Sequence, residues 1–220
     1  MIDYHTHIIP FVDDGSKSIE ASIDMIRDEI DNGVDTIYCT PHHINHRYMC
    51  SVEVIKENFN RLKEAIKENN LNVNIYLGQE ICYTDKVDII KMLKKGELLT
   101  LNNTNYVLLE FSFSKEPDDL YDIIYNFSVN GYKVIVAHIE RYDWITIDKV
   151  KGLKEEGAII QVNSGSIVGL SSKKEKSFSK KLLRLDLVDI IASDIHSFRP
   201  STMAKAMNMV KKNELFGYKI

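Results

Sequence analysis

Seven short apolar runs rich in β-branched residues recur along the 220-residue chain, and a longer amphipathic stretch follows each. The runs occupy 1–7, 35–40, 72–78, 106–111, 133–138, 158–163 and 188–194, close to the roughly 4–8 residues usual for a strand in a buried sheet. The stretches between them have helical spacing. Residues 18–32 carry Ile19, Ile23, Ile26 and Ile30 three and four apart, with Ser18 as N-cap and Gly33 as C-cap. The same reasoning predicts helices over 51–69, 86–95, 118–130, 147–156, 177–185 and 203–212. Strand–helix units in series require parallel strands with right-handed crossovers, which allows an open doubly wound sheet or a (β/α) barrel. Periodicity does not choose between them. No linker, repeat or low-complexity tract divides the chain, so residues 1–220 read as one α/β domain. The charged run 171–176 reads as a solvated loop or the start of a helix.

Composition removes several alternatives. With 44% hydrophobic and 27% charged residues and only 10 Gly and 4 Pro, the chain is neither collagenous, coiled-coil nor disordered. Its 28 Lys+Arg against 32 Asp+Glu leave a formal charge of −4, which gives no support to nucleic acid as a partner. Cys39, Cys50 and Cys82 match neither a zinc knuckle nor a CxxC pair, and an odd count argues against a disulfide framework. The first residues, Met1-Ile2-Asp3-Tyr4-His5, lack the basic and apolar regions of a signal peptide. No apolar run approaches the ~18 residues of a membrane span. A cytoplasmic protein without membrane insertion is expected.

The histidines carry the chemistry. The chain has seven: His5, His7, His42, His43, His46, His138 and His196. In a parallel α/β domain the carboxyl ends of the strands form the reactive face. His5 and His7 end the first predicted strand, His42 follows the second, Glu80 the third, Glu110 ends the fourth, His138 the fifth, and Asp194 with His196 the seventh. Residues two apart on a strand point to the same side, so His5 with His7, and Asp194 with His196, can chelate. Imidazoles interleaved with carboxylates suit Mn²⁺, Fe or Zn²⁺, and so many ligands exceed the needs of one ion. Two or three bridged ions are implied. A carboxylate ending the apolar run Val107-Leu108-Leu109-Glu110 would be costly to bury without a partner. Asp13 and Asp14 read either as turn formers before Gly15 or as ligands. His43 and His46 belong to a loop.

The segments His5-Thr6-His7, Val12-Asp13-Asp14-Gly15, Thr40-Pro41-His42, Gly78-Gln79-Glu80-Ile81, Leu109-Glu110-Phe111-Ser112, Ala137-His138-Ile139-Glu140-Arg141-Tyr142, Gln161-Val162-Asn163 and Ala192-Ser193-Asp194-Ile195-His196 resemble, in this order, the PHP (polymerase and histidinol phosphatase) superfamily. Within it they look like the bacterial tyrosine-protein phosphatases of capsule and exopolysaccharide loci, the CpsB/YwqE type. The resemblance implies a distorted (β/α)7 barrel with a trinuclear site, manganese being the expected metal. It puts His5, His7, Glu80 and Asp194 on one ion, Glu80, Glu110 and His138 on a second, and Asp14, His42 and His196 on the third. Arg141 and Arg199 match arginines that contact phosphate. The implied partner is a phosphotyrosine protein, a membrane-associated bacterial tyrosine kinase with a tyrosine-rich tail. The segment 43–48 departs from the family pattern, and self-association is left open.

A phosphatase using a cysteine nucleophile needs Cys-x5-Arg, but the residues six after the three cysteines are Asn45, Lys56 and Asp88. Clustered metal ions are the alternative source of an activated water. Arg141 and Arg199 lie just beyond His138 and His196, where a planar guanidinium could grip an oxyanion; an ion pair with a neighbouring carboxylate such as Glu140 is the competing role. Tyr48 and Tyr142 could face an aromatic substrate or simply fill the core. The same metals could instead act on a small phosphomonoester such as histidinol phosphate or on nucleic acid, and a non-catalytic docking module is the third reading. Its full ligand set argues against the last.

Overall fold

The computed structural model describes residues 1–44, 47–197 and 199–212. Each predicted run becomes strand, and every pairing among them is parallel. The strands are β1 (Ile2–Thr6), β2 (Thr36–Cys39), β3 (His42–His43), β4 (Asn74–Leu77), β5 (Glu80–Cys82), β6 (Tyr106–Glu110), β7 (Lys133–Val136), β8 (Ile159–Asn163) and β9 (Ile190–Ala192). They form two sheets, β1-β2-β4 and β3-β5-β6-β7-β8-β9.

Just beyond the second and third predicted runs the chain forms two further short strands, β3 and β5, that the sequence reading did not anticipate. Pro41, which has no N–H to give a ladder, separates β2 from β3. Gly78 and Gln79 separate β4 from β5. A Cβ on Gly78 would come within 2.4 Å of Leu101 Cδ2, so the bend needs glycine. Both chain runs pass from one sheet into the other at these breaks. At the other margin, Thr6 bridges Ile195, His7 N–H donates to Ile195 O (3.0 Å) and Asp194 N–H donates to His5 O (2.9 Å). The parallel sheet is curled, and its last strand run is hooked to its first.

Helices α1 (Ile19–Asp31), α2 (Val52–Glu68), α3 (Ile89–Lys95), α4 (Leu120–Val129), α5 (Ile147–Glu155), α6 (Ser164–Val168), α7 (Lys173–Arg184) and α8 (Met203–Lys212) fill the connections. Ser18 caps α1, its Oγ accepting from Ala21 N–H at 3.1 Å. Two starts differ from expectation because of caps. Asp88 accepts from Lys91 N–H (2.9 Å) and sets the start of α3. Ser172 Oγ accepts from Glu175 N–H (3.2 Å) and donates to Glu175 Oε1 (2.8 Å), an N-cap that makes most of the charged run the first turn of α7. Helix α6 was not predicted; five residues with Gly165 inside carry too little periodicity to register. Among the described residues no helix is long and apolar enough to cross a membrane.

Alternate strand residues serve two apolar layers. Val107, Leu109, Val134, Val136, Ile160 and Val162 are buried in the layer that the helices cover, whereas Leu101, Leu108, Ile135 and Ala137 form a smaller cluster of their own.

Charge is also buried here. Asp3 on β1 is fully enclosed and accepts from Ser193 N–H (3.1 Å) and His5 N–H (3.2 Å), tying the first strand to the end of the last. Glu29 on α1 is equally enclosed, and neither of its oxygens has a hydrogen-bond partner. Burial raises Asp3 to about 6; burial, then the Asp3 charge, raises Glu29 to about 9. Because Glu29 is raised on folding, its contribution to stability is full below the unfolded value near 4.5 and is lost as pH climbs through about 9. Glu29→Gln, neutral and isosteric, is expected to remove that loss. Thermal melts from pH 5 to pH 10 should show Tm of the wild-type falling away from that of the variant on the alkaline side; parallel curves would overturn the assignment.

Candidate active site

The carboxyl ends of the strands bring the predicted ligands to one place. His5 and His7 stand two apart at the end of β1, with their Nε2 atoms 3.1 Å from each other. Each uses its other nitrogen elsewhere: His7 Nδ1 meets Asp13 Oδ2 at 2.8 Å, and His5 Nδ1 meets Gln161 Oε1 at 3.2 Å. An Nδ1 that donates leaves Nε2 as a lone pair in the neutral ring. Two lone pairs thus face each other, and they also face Glu80 Oε2 at 3.2 and 3.3 Å and Asp194 Oδ1 at 3.5 and 3.4 Å.

Glu80, at the start of β5 and fully buried, is the hub. Its Oε2 lies 2.7 Å from His42 Nδ1, and its Oε1 lies 2.9 Å from His138 Nε2. Glu110, ending β6, has Oε2 3.8 Å from His42 Nδ1. Asp14 Oδ1 stands 3.6 Å from both His42 Nε2 and His196 Nε2, while His196 Nδ1 lies 3.0 Å from the Asp194 carbonyl oxygen. Among the described residues, three groups have ligand atoms within 4.8 Å of one another: His7, Asp14, His42 and His196; His5, His7 and Glu80; and His42, Glu80 and Glu110. Glu80 and Glu110 thus meet His42 in the third group, and His138 meets Glu80 from the opposite oxygen.

These residues fit cations. Asp14 Oδ1, Glu110 Oε2 and His138 Nδ1 are buried without a hydrogen-bond partner, an arrangement that is expensive unless something positive lies near them. Ligand atoms on an ion at about 2.1 Å sit about 3 Å apart when they subtend a right angle, close to the His5–His7 separation. Electrostatics agree. Burial, and then the Glu80 charge, raises Glu110 to about 8, so this carboxyl lacks sufficient positive charge from the chain itself. Burial opposes ionisation of Glu80, but His5 and His42 hold it well below the usual range. Asp194 is held down by His5 despite burial. Burial and the neighbouring His7 lower His196 to about 4.

Two of the converging residues have left-handed backbones: His138 at φ +29° and Asp194 at φ +51°. After His138 the chain makes a 3-10 turn over Ile139–Arg141, with Arg141 N–H donating to His138 O at 2.9 Å. That turn swings Arg141 back over the site. Its Nη1 donates to Asp194 Oδ2 at 3.2 Å, and its guanidinium carbon lies 4.4 Å from the centre of the Phe113 ring. Glu140 points elsewhere and accepts from Asn163 N–H at 2.9 Å; the ion pair of Arg141 is with Asp194. Arg141 and Arg199 together line a cavity of about 280 Å³ that also touches Asn163, Ser166 and Ser193.

Some expectations resolve differently. Tyr142 is fully buried, its hydroxyl accepting from Phe111 N–H (3.0 Å) and donating to Ala137 O (2.9 Å), so it belongs to the core. Tyr48 stacks beside His42, ring centres 5.8 Å apart, and remains at the site. His43 is half-buried on β3 and joins none of the three groups; His46 lies outside the described residues. Sequence reasoning missed the roles of Asp13, Phe113, Gln161 and Asn163. Asp13 accepts from His7, from His42 N–H (2.9 Å) and from Gly15 N–H (2.9 Å), which holds its carboxyl near 2 despite burial. The Gln161/Asn163 pair had a signal available: two polar residues, two apart, ending an apolar strand.

The family described as capsular polysaccharide synthesis, CpsB/CapC, matches residues 1–218. Tyrosine-protein phosphatase YwqE of Bacillus subtilis is 35% identical over 201 residues, covering 90% of this chain and 78% of its own. Tyrosine-protein phosphatase CpsB of Streptococcus pneumoniae is 35% identical over 221 residues, covering 96% and 90%. A crystal structure from a study of YwqE and CpsB, described there as metal-dependent tyrosine phosphatases, superposes with a TM-score of 0.90 at 33% identity over 97% of this chain and 87% of that one. Histidinol phosphate phosphatase of Lactococcus lactis shares the fold alone, with a TM-score of 0.61 at 13% identity over 99% and 94%. By the match along almost its whole length and by these relatives, the chain belongs to the CpsB/CapC family.

Proposed function

We propose that this chain is a metal-dependent protein-tyrosine phosphatase. The observation that carries the reading is the pairing of a buried imidazole–carboxylate cluster, rich in unpartnered ligand atoms, with a cavity that two arginines line. The CpsB/CapC relatives, named tyrosine-protein phosphatases, supply the substrate class. On this reading the curled sheet is a distorted (β/α)7 barrel of the PHP type. His5, His7 and Asp194 would hold one ion, Glu110 and His138 a second, and Asp14, His42 and His196 a third, with Glu80 shared by the first two sets. Imidazole nitrogen mixed with carboxylate oxygen suits manganese, with iron or zinc as substitutes. Divalent ions in this set would supply an activated water and neutralise phosphoryl charge.

The chain's own groups do the rest. Arg141, paired with Asp194 and laid against Phe113, lines the cavity together with Arg199. A phosphoryl group seated between them would be gripped by planar donors. Phe113 is 37% exposed and, with Tyr48, offers ring surface for a substrate phenol. A phenol, with pKa near 10, leaves with less proton assistance than an aliphatic alcohol would need. The substrate is a phosphotyrosine protein, a membrane-associated bacterial tyrosine kinase that governs capsule or exopolysaccharide synthesis. The free thiols of Cys39, Cys50 and Cys82 are consistent with action in the reducing cytoplasm.

Purified enzyme should hydrolyse a phosphotyrosine peptide with Mn²⁺, lose turnover on chelation and keep it after iodoacetamide treatment. Histidinol phosphate and single-stranded DNA should be poor substrates; preference for either, or thiol-dependent turnover, would overturn the proposal. Arg141→Ala should lower kcat by about 10²–10³ with KM less affected, as for loss of an oriented transition-state donor, while metal content stays at the wild-type level. Arg141→Lys should recover little. Unchanged kcat/KM in the alanine variant would reduce Arg141 to an ion-pair partner of Asp194.

A further inference from the structure

Two uncharged amides stand directly behind the cluster. Gln161 is fully buried and Asn163 nearly so, two residues apart on β8. Their orientation follows from one backbone group. His138 N–H can only donate, so the Gln161 atom 2.8 Å from it is the oxygen Oε1. That same oxygen lies 3.2 Å from His5 Nδ1, which must therefore carry hydrogen. Gln161 Nε2 is left to donate to Asn163 Oδ1 at 2.7 Å, and Asn163 Nδ2 to donate to Asp194 Oδ2 at 2.8 Å. Glu140 fixes the next link by accepting Asn163 N–H. Turning either amide would set donor against donor.

We propose that Gln161 is a positioning residue that holds His5 in the Nδ1–H tautomer, with Nε2 presented to the ion, and through Asn163 turns Asp194 so that Oδ1 faces the same point. The relay reaches three of the converging residues at once: the His5 ring, the His138 backbone and the Asp194 carboxylate. His138 is also the residue whose left-handed backbone needs support, and its N–H bond to Gln161 supplies some. The contrast with His7 is informative. His7 is oriented by the carboxylate of Asp13 and His5 by a neutral amide, so the two rings are held by partners of different charge although they share one point. The proposal rests on the metal-dependent reading above, but it concerns ion binding and ring orientation.

The test therefore needs no substrate. Protein stripped by chelation is titrated with Zn²⁺ in a calorimeter, and the Zn²⁺-loaded form, labelled with ¹⁵N-histidine, is examined by two-bond ¹H–¹⁵N correlation. In the wild type His5 should show hydrogen on Nδ1; hydrogen on Nε2 would overturn the proposal whatever the variants do. Gln161→Met keeps the volume but none of the three hydrogen bonds, and should weaken Zn²⁺ binding about 10- to 100-fold, the usual range for loss of a group that orients a ligand. Gln161→Glu keeps an acceptor for His138 N–H and His5 Nδ1–H but sets an oxygen against Asn163 Oδ1, so it should restore the Nδ1–H tautomer of His5 and recover only part of that loss. Wild-type affinity and unchanged His5 shifts in a folded Gln161→Met protein would overturn the relay. A chain that passes these tests yet fails to hydrolyse phosphotyrosine peptide would sink the phosphatase reading alone.

Discussion

The hook between the last strand run and the first determines whether there is a site. Asp194 N–H to His5 O, His7 N–H to Ile195 O and the Thr6–Ile195 bridge place one end of the chain against the other. Without them His5 and His7 would lie far from Asp194 and His196, and the hub oxygen of Glu80 would face half its neighbours. Asp3 reinforces the seam by accepting the N–H of Ser193 beneath it. Ligands from residue 5 and residue 196 therefore meet only when nearly the whole chain is in place. Ion binding in such a site is coupled to completing the fold, and the sequence separation is of the kind that slows folding.

Much of this was legible in the sequence because strand periodicity and strand-end chemistry are both local signals. The runs at 106–111, 133–138 and 158–163 contain β6, β7 and β8, and Ser18, Ser51 and Thr146 cap helices where hydroxyls precede apolar spacing. The converging set His5, His7, His42, Glu80, Glu110, His138, Asp194 and His196 could be read from their place at the ends of apolar runs. What stayed hidden depends on spatial neighbours. Strands β3 and β5 follow Pro41 and Gly78, past the ends of the predicted runs, because two sheets meet there, and Leu101 is what crowds Gly78. Asp13 and Asp14 are adjacent in sequence, yet one turns to the His7 ring and the other to His42 and His196. Nothing in Val12-Asp13-Asp14-Gly15 separates those fates. Gln161 stood in a motif segment yet was given no role, because its partners, His5 and His138, lie 156 and 23 positions away.

The site divides its charge among unlike supports. His7 leans on a carboxylate, His196 on a carbonyl and His5 on an amide. Each turns its other nitrogen toward the cluster. Arg141 adds a cation at the edge, and its pair with Asp194 is 31% exposed on the arginine side. It therefore stands where solvent, substrate and buried carboxylate meet.

His138 and Asp194 hold left-handed backbones while presenting side chains to the cluster. Such conformations cost on the order of 1 kcal/mol or more for residues other than glycine. Glycine at either position would relax the chain and delete a converging side chain in the same step. Selection for thermal robustness and selection for turnover would thus pull these two codons in opposite directions. An engineer seeking a hardier protein would do best to leave both alone and spend substitutions on the helical exterior.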